Sequence, residues 1–238
     1  MSDDKKPKVV LCVPTVTRPA QPCLDAIAAS VPVLDGICEH FIVNEIGCPY
    51  ISAARAYMLR KALDVKADVI VFIDHDLSWE PDDLRLLIET PGEVVSGNYR
   101  YKRDEEAYMG TIIPAPDGKP IVREDGAILM HSVPAGFLKV TRGAVQAFMR
   151  AYPELLYGEP DAYWVDLFNH GAHDGVWWGE DFAFSRRWRE QGGKIWCVPQ
   201  LTITHHAISF KEGHTYYTPY AGNFGLWLAG CPGGSRAA

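Results

Sequence analysis

The stretch VIVFIDHDLSWEPDDL, residues 69–84, decides the fold. Its first half is an unbroken apolar run, the pattern of a strand buried on both faces of a parallel sheet. The run ends on Asp74, His75 and Asp76, and Pro81 lies just inside the start of a new helix, EPDDLRLLIE. In an α/β sheet, ligands bind beyond the carboxyl ends of the strands. Two carboxylates at i and i+2 on an extended backbone share one side, roughly 7 Å apart. Such a pair suits a hard divalent cation, Mg²⁺ or Mn²⁺, which can bridge a diphosphate. Helix capping or a solvated turn would account for the same residues, and the triplet alone is common.

Outward from this stretch the alternation of elements repeats. KVVLCVP (residues 8–14) is another continuous apolar run, stopped by proline, and a short helix is expected over residues 23–30. ICEHFIVNE alternates like a second strand. ISAARAYMLRKALDVKA places Ile51, Ala54, Met58 and Ala62 on one helical face, with Arg55, Arg60 and Lys61 elsewhere. Strand and helix alternating three times over the first part of the chain predict an α/β fold with a Rossmann-like, mixed but mostly parallel central sheet.

The middle is more broken. EVVSGNYRY, AYMGTII and AILMHSVPAGFLKVTR read as strands between Gly, Pro and charged turns, and TRGAVQAFMRAY reads as a helix. YGEPDAYWVDLFNHGAHDGVWW is a polar and aromatic connection, longer than most and therefore a candidate functional loop. GEDFAFSRRWREQGG reads as a helix with acidic residues in its first turn and glycines at its end. KIWCVP and QLTITHHA follow as two short strands. The Gly- and aromatic-rich end, YYTPYAGNFGLWLAGCPGGSRAA, is expected to cover a site or pack on a partner. With no internal repeat and no linker, residues 1–238 are expected to form one domain.

Composition narrows the function classes. The chain is 47% hydrophobic and 22% charged, the balance of an ordinary globular protein, and its net charge of −7 disfavours a broad grip on nucleic acid or anionic membrane. Its six cysteines, at 12, 23, 38, 48, 197 and 231, form no C-x-x-C pair. They are expected as reduced thiols rather than a disulfide frame or zinc site. MSDDKKPK lacks an apolar signal core, and no run approaches the roughly 20 apolar residues of a membrane span. A soluble, cytoplasmic protein is expected.

Two further groups extend the aspartate pair. Glu180 and Asp181 fall in the first turn of a helix, beside Trp177 and Trp178. They complement the helix dipole, or supply a general base held at a helix start. His205 and His206 end a strand, and either imidazole could complete a carboxylate cation site.

The order of these signals resembles the GT-A glycosyltransferases, and in particular family 2-like members. These are nucleotide-sugar-dependent enzymes with a Rossmann-like half and a metal-binding D-x-D. The match runs from VVLCVPT through ARAYMLRKALDVKADVIVFIDHD and PAGFLKVTRGAV to GEDFAFSRRWREQGGKIWCVPQLTITHH, about residues 8–206. The resemblance implies a nucleotide-binding half over about residues 8–100, an acceptor half over about 101–210 and a tail over 211–238. By it, Asp74 and Asp76 are the metal-binding D-x-D, with Asp74 at the ribose or a metal-bound water and Asp76 on Mn²⁺ or Mg²⁺. His205 completes the metal site, although His206 leaves the choice of imidazole open. Thr15, Thr17 and Arg18 hold the nucleotide, and Arg55 approaches the diphosphate. Glu180 and Asp181 match the late acidic pair, with Asp181 the base of an inverting transfer. GNYRY (residues 97–101) and Gly136 frame the sugar and acceptor cleft.

The implied reaction moves a hexosyl or pentosyl group from a nucleoside-diphosphate sugar to an acceptor hydroxyl. The acceptor class stays open among saccharide, small molecule, protein and modified DNA base. Arg100, Lys102 and Arg103 beside Tyr99 and Tyr101 offer a stacking and phosphate patch, or a solvated charged turn. A non-catalytic sugar-nucleotide-binding or scaffold protein of the same fold is the rival reading.

Overall fold

A computed structural model describes residues 6–160 and 162–230. The first part of the chain is β1 (Lys8–Thr15), α1 (Gln21–Ile37), β2 (Glu39–Ile46), α2 (Ile51–Asp64) and β3 (Val69–Ile73). Then come β4 (Leu77–Trp79), α3 (Pro81–Glu89), β5 (Val94–Ser96), β6 (Thr111–Ile112), β7 (Ile128–Ser132), β8 (Phe137–Thr141) and α4 (Arg142–Ala151). Two small hairpins follow, β9 (Leu156–Tyr157) with β10 (Trp164–Val165) and β11 (Gly171–His173) with β12 (Val176–Trp178). The chain continues as α5 (Glu180–Glu190), β13 (Ile195–Cys197), β14 (Thr202–Lys211), β15 (His214–Asn223) and α6 (Phe224–Gly230).

The central sheet has eight strands in the order β2-β1-β3-β8-β5-β13-β7-β6. Parallel pairing joins β1 to β2 and β3, and β5 to β13. Antiparallel pairing at β8 and β7 makes these the two strands that run against the rest. The fold is α/β with a mixed sheet, parallel over the β2-β1-β3 portion, as the apolar runs predict. β1 shows why: Val9, Leu11 and Val13 enter one core while Val10 and Cys12 enter the other. Residues i and i+2 line one face, so a strand covered on both sides reads as an unbroken apolar run.

Helices α1 and α3 cover one face through Ile27, Leu34, Leu84 and Leu87. Helices α2, α4 and α5 cover the other through Met58, Leu59, Val145, Phe148, Phe184 and Trp188. Each such side chain, fully buried, contributes roughly 1.5–3 kcal/mol.

Two elements depart from the sequence expectation. Helix α1 continues past Ser30 and through Pro32 to Ile37. Proline there removes one backbone hydrogen bond, yet the extra turn buries Leu34. Ser30, itself buried, donates to Ala26 O and accepts from Trp79 Nε1 at 3.1 Å, which ties the helix to β4. The second departure is β14, expected as a short strand. It runs to Lys211 and turns through Glu212 and Gly213, both at positive φ, into β15. This hairpin and β4 form a separate three-stranded sheet. Residues 211–230 of the expected tail are therefore hairpin and helix, and residues 231–238, with Cys231, lie outside the described residues. Among the described residues the cysteines are free thiols, and no helix is long and apolar enough to cross a membrane.

Candidate active site

The two sheets meet at the turn that follows β3. Asp74 N donates to Gly136 O at 2.8 Å, and His206 N, on β14, donates to Asp76 O at 2.8 Å. The backbone turns at His75 and Asp76 instead of staying extended. The two aspartate side chains consequently enter different hydrogen-bonded groups, where an extended backbone would have set them side by side.

Asp74 belongs to a charged cluster around a buried guanidinium. Its Oδ1 accepts from Arg55 Nη2 at 2.9 Å and its Oδ2 from the Tyr99 hydroxyl at 3.0 Å. Arg55, on α2, is only 2% exposed, and its Nη1 donates to Glu180 Oε1 at 3.0 Å. Its guanidinium carbon lies 5.0 Å from the ring centre of Phe168. Burial works against the Arg55 charge, but Asp74 and Glu180 outweigh it and hold the group above its ordinary value. Burial, with Asp74 and Asp181 nearby, pushes the Tyr99 phenol well above its ordinary value, so it remains a donor.

Gly136 makes this contact possible. A Cβ there would stand 2.2 Å from both Asp74 Oδ2 and the Tyr99 hydroxyl. No side chain fits under that hydrogen bond.

Asp76 faces a second group. Its Oδ1 lies 3.6 Å from His205 Nε2, and its Oδ2 accepts from Lys102 Nζ. His205 Nδ1 is 3.0 Å from Arg100 O. A carbonyl only accepts, so Nδ1 carries a proton, and Nε2 is the ring nitrogen that faces Asp76. Burial would raise the Asp76 carboxyl, but His205 and Lys102 together hold it well below the usual carboxylate range. His206 turns away, its Nε2 2.7 Å from Ser78 Oγ.

Among the described residues, no group of three or more His, Cys, Asp or Glu side chains forms a metal cluster. The expected trio of Asp74, Asp76 and His205 is split. Both oxygens of Asp74 are taken by Arg55 and Tyr99, while Asp76 and His205 stay together. Arg55, expected at a diphosphate, is enclosed between two carboxylates instead.

Helix α5 begins with Glu180 and Asp181 in its first turn, where a helix N-terminus favours negative charge. Asp181 Oδ1 accepts its neighbour's amide, Phe182 N, at 2.8 Å. Burial, then the adjacent Glu180, pushes the Asp181 carboxyl up to about 6. Just before it, β11 and β12 form a hairpin turning through Asp174 and Gly175, both at positive φ. That hairpin presents Trp177, 70% exposed, beside the start of α5.

The loop after β1 reaches the same turn, with Ala20 N donating to His75 O at 2.8 Å. Thr15 is buried and its hydroxyl has no partner among the described residues, while Thr17 and Arg18 are exposed. Sequence reasoning missed the Tyr99 hydroxyl on Asp74 and Phe168 beneath Arg55. It saw Lys102 as part of a surface patch, with no signal for its carboxylate partner.

No protein-family model and no curated protein matches this chain. Among solved structures, the catalytic domain of Drosophila β1,4-galactosyltransferase 7 complexed with xylobiose is similar at 18% identity and TM-score 0.46, over 80% of this chain and 64% of that one. GalNAc-T7 with UDP, GalNAc and Mn²⁺ is similar at 12% identity and TM-score 0.45, over 89% of this chain and 45% of that one. The chain thus spans less than two thirds of either structure. Both overlays are partial, and the reading of the site rests on this chain's own side chains.

Arg55→Met leaves Asp74 and Glu180 without their buried counter-ion, and a loss of about 3–5 kcal/mol is expected in urea unfolding. Adding Asp74→Asn and Glu180→Gln should restore much of that loss. A triple variant as unstable as the single one would show that packing, not charge, holds the cluster.

Proposed function

We propose that this chain is a glycosyltransferase of the GT-A kind that moves a sugar from a nucleoside-diphosphate sugar to an acceptor hydroxyl by inversion. The observation that carries this reading is the turn after β3. It presents Asp76 and His205 as a carboxylate–imidazole pair at the carboxyl edge of the sheet, and ties Asp74 through Arg55 to the helix start bearing Asp181.

The donor set fits a divalent cation. Asp76 offers an anionic oxygen, and His205 offers Nε2 with its tautomer fixed by Arg100 O. When bound, Mn²⁺ or Mg²⁺ would neutralise charge developing on the departing diphosphate. Asp74 is assigned to position the turn rather than to ligate. Thr15, Thr17 and Arg18 are assigned to the nucleotide, with residues 8–100 as the donor half and 101–210 as the acceptor half. The family resemblance is what supports that division.

Asp181 is assigned as the base that takes the acceptor hydroxyl's proton as that oxygen attacks the anomeric carbon. Among the described residues no hydrogen bond engages its Oδ2, and its raised affinity for a proton suits general-base work near neutral pH. Glu180 is held by Arg55 and acts by fixing α5. The acceptor is read as a carbohydrate, because Trp177 offers an exposed aromatic face to the apolar side of a sugar ring.

A donor-hydrolysis screen over UDP-, GDP- and TDP-sugars, with and without Mn²⁺, tests this assignment. Metal-dependent release of nucleoside diphosphate is expected, with a loss of at least about 100-fold in Asp76→Ala, a few kcal/mol of transition-state stabilisation. Equal rates in both proteins would refute the role of Asp76.

The pH dependence follows from Asp181. The kcat/KM of transfer should rise with pH on a limb centred near 6, and Asp181→Asn should abolish transfer. Its folded value exceeds the ordinary 3.8, so the native state binds the extra proton. The stability this gives is complete below 3.8 and lost as pH rises through about 6. Asp181→Asn should therefore have a higher urea midpoint than the wild type at pH 8, an advantage that disappears below about pH 4. A midpoint unchanged at pH 8 would mean that the carboxylate is not strained by burial.

Trp177→Ala should raise the acceptor KM about tenfold while donor hydrolysis stays constant, consistent with one lost aromatic contact. An equal fall in both activities would place Trp177 outside acceptor recognition.

A further inference from the structure

The segment between β5 and β6 contributes the closest cation to Asp76. Arg100 pairs with Tyr108 across its base, and Tyr101 N donates to Ala107 O at 2.9 Å. The Arg100 guanidinium braces that base through Ala221 O at 3.3 Å and through Arg103 O and Asp104 O, both at 3.1 Å. Tyr108 is buried, with its ring 5.4 Å from Phe224 and 5.2 Å from Trp227. Lys102 is one residue beyond this anchored base, in the exposed part of the loop, and its ammonium reaches inward to Asp76 Oδ2.

The Asp76 side chain is only 12% exposed, against 32% for Lys102. A carboxylate so enclosed is costly without a cation on it. A divalent ion seated between Asp76 Oδ1 and His205 Nε2 would repel an ammonium held on the other oxygen of the same carboxylate. Binding of one therefore weakens binding of the other, by thermodynamic linkage.

We propose that Lys102 is a resident counter-ion of Asp76, displaced when a divalent cation takes that carboxylate, and that its released ammonium then binds the diphosphate of the donor. This rests on the donor and metal assignment given above. The charges balance in both states. Asp76 with Lys102 is neutral, and so are Asp76, a divalent ion, a dianionic diphosphate and Lys102 together. Without Lys102, both states carry an uncompensated negative charge. Arg100 links the exchange to the imidazole, since its carbonyl fixes His205 while its side chain braces the loop that carries Lys102.

The test measures Mn²⁺ binding by electron paramagnetic resonance of the free ion, and nucleoside-diphosphate binding by calorimetry at saturating Mn²⁺. Lys102→Met should bind Mn²⁺ alone about tenfold tighter than the wild type and UDP or GDP about tenfold weaker, ordinary magnitudes for coupled sites. Lys102→Arg should return both constants toward wild type, and Asp76→Asn combined with Lys102→Met should lose Mn²⁺ binding. A merely structural lysine would weaken both ligands on removal, so opposite shifts are the signature. Mn²⁺ affinity unchanged or weaker in Lys102→Met would overturn the displacement, and unchanged diphosphate affinity would overturn the hand-over. If Mn²⁺ binds neither protein, this proposal falls. The donor-hydrolysis screen then separately decides the glycosyltransferase reading.

Discussion

The arrangement depends on one guanidinium. Arg55 is buried on α2 between a carboxylate from the end of β3 and a carboxylate from the start of α5, with an aromatic ring against it. A charge so placed is tolerable only when paired, and the half-buried carboxylates of Asp74 and Glu180 supply the pairing. The guanidinium's planar fork holds both carboxylates at once, which the point charge of a lysine could not do. Three elements from distant parts of the chain are thereby fixed in mutual position.

That constraint explains the unequal fates of two aspartates two residues apart. Asp74 is drawn inward by Arg55 and Tyr99, and the close approach needs a residue without a Cβ at Gly136. Asp76 lies in the turn itself and is held through its own backbone by β14, so its carboxylate meets His205 and Lys102. One aspartate anchors the turn, and the other holds the ammonium of Lys102.

Much of the sheet was legible because burial on both faces leaves an unmistakable trace. The runs at β1 and β3 alternate between two cores residue by residue, so every position must be apolar. The extent of α1 was hidden because Pro32 reads as a local stop, and only packing of Leu34 and Ser30 against neighbours overrides it. The hairpin of β14 and β15 was hidden for a related reason: its outer half is exposed, with Phe210 at 73%, so no buried face imposes a period. In the site, short-range signals located Asp76, Asp181 and His205 as candidates. The partners of Arg55 lie 19 and 125 residues away, and that of Lys102 lies 26 residues back, beyond β5, α3 and β4. Such pairings come from the fold and leave no local pattern.

The helix start of α5 shows how the clamp serves the proposed chemistry. Consecutive residues on a helix point about 100° apart, so Glu180 can meet Arg55 while Asp181 does not. Had the guanidinium paired with Asp181 instead, it would have stabilised the ionised carboxylate and made it a poor proton acceptor. With Arg55 engaged by Glu180 and Asp74, Asp181 is surrounded by burial and negative charge, and its proton affinity rises to about 6. The ion pair that holds the site together thus also leaves Asp181, the carboxylate proposed as base, without a hydrogen bond to the nearest guanidinium.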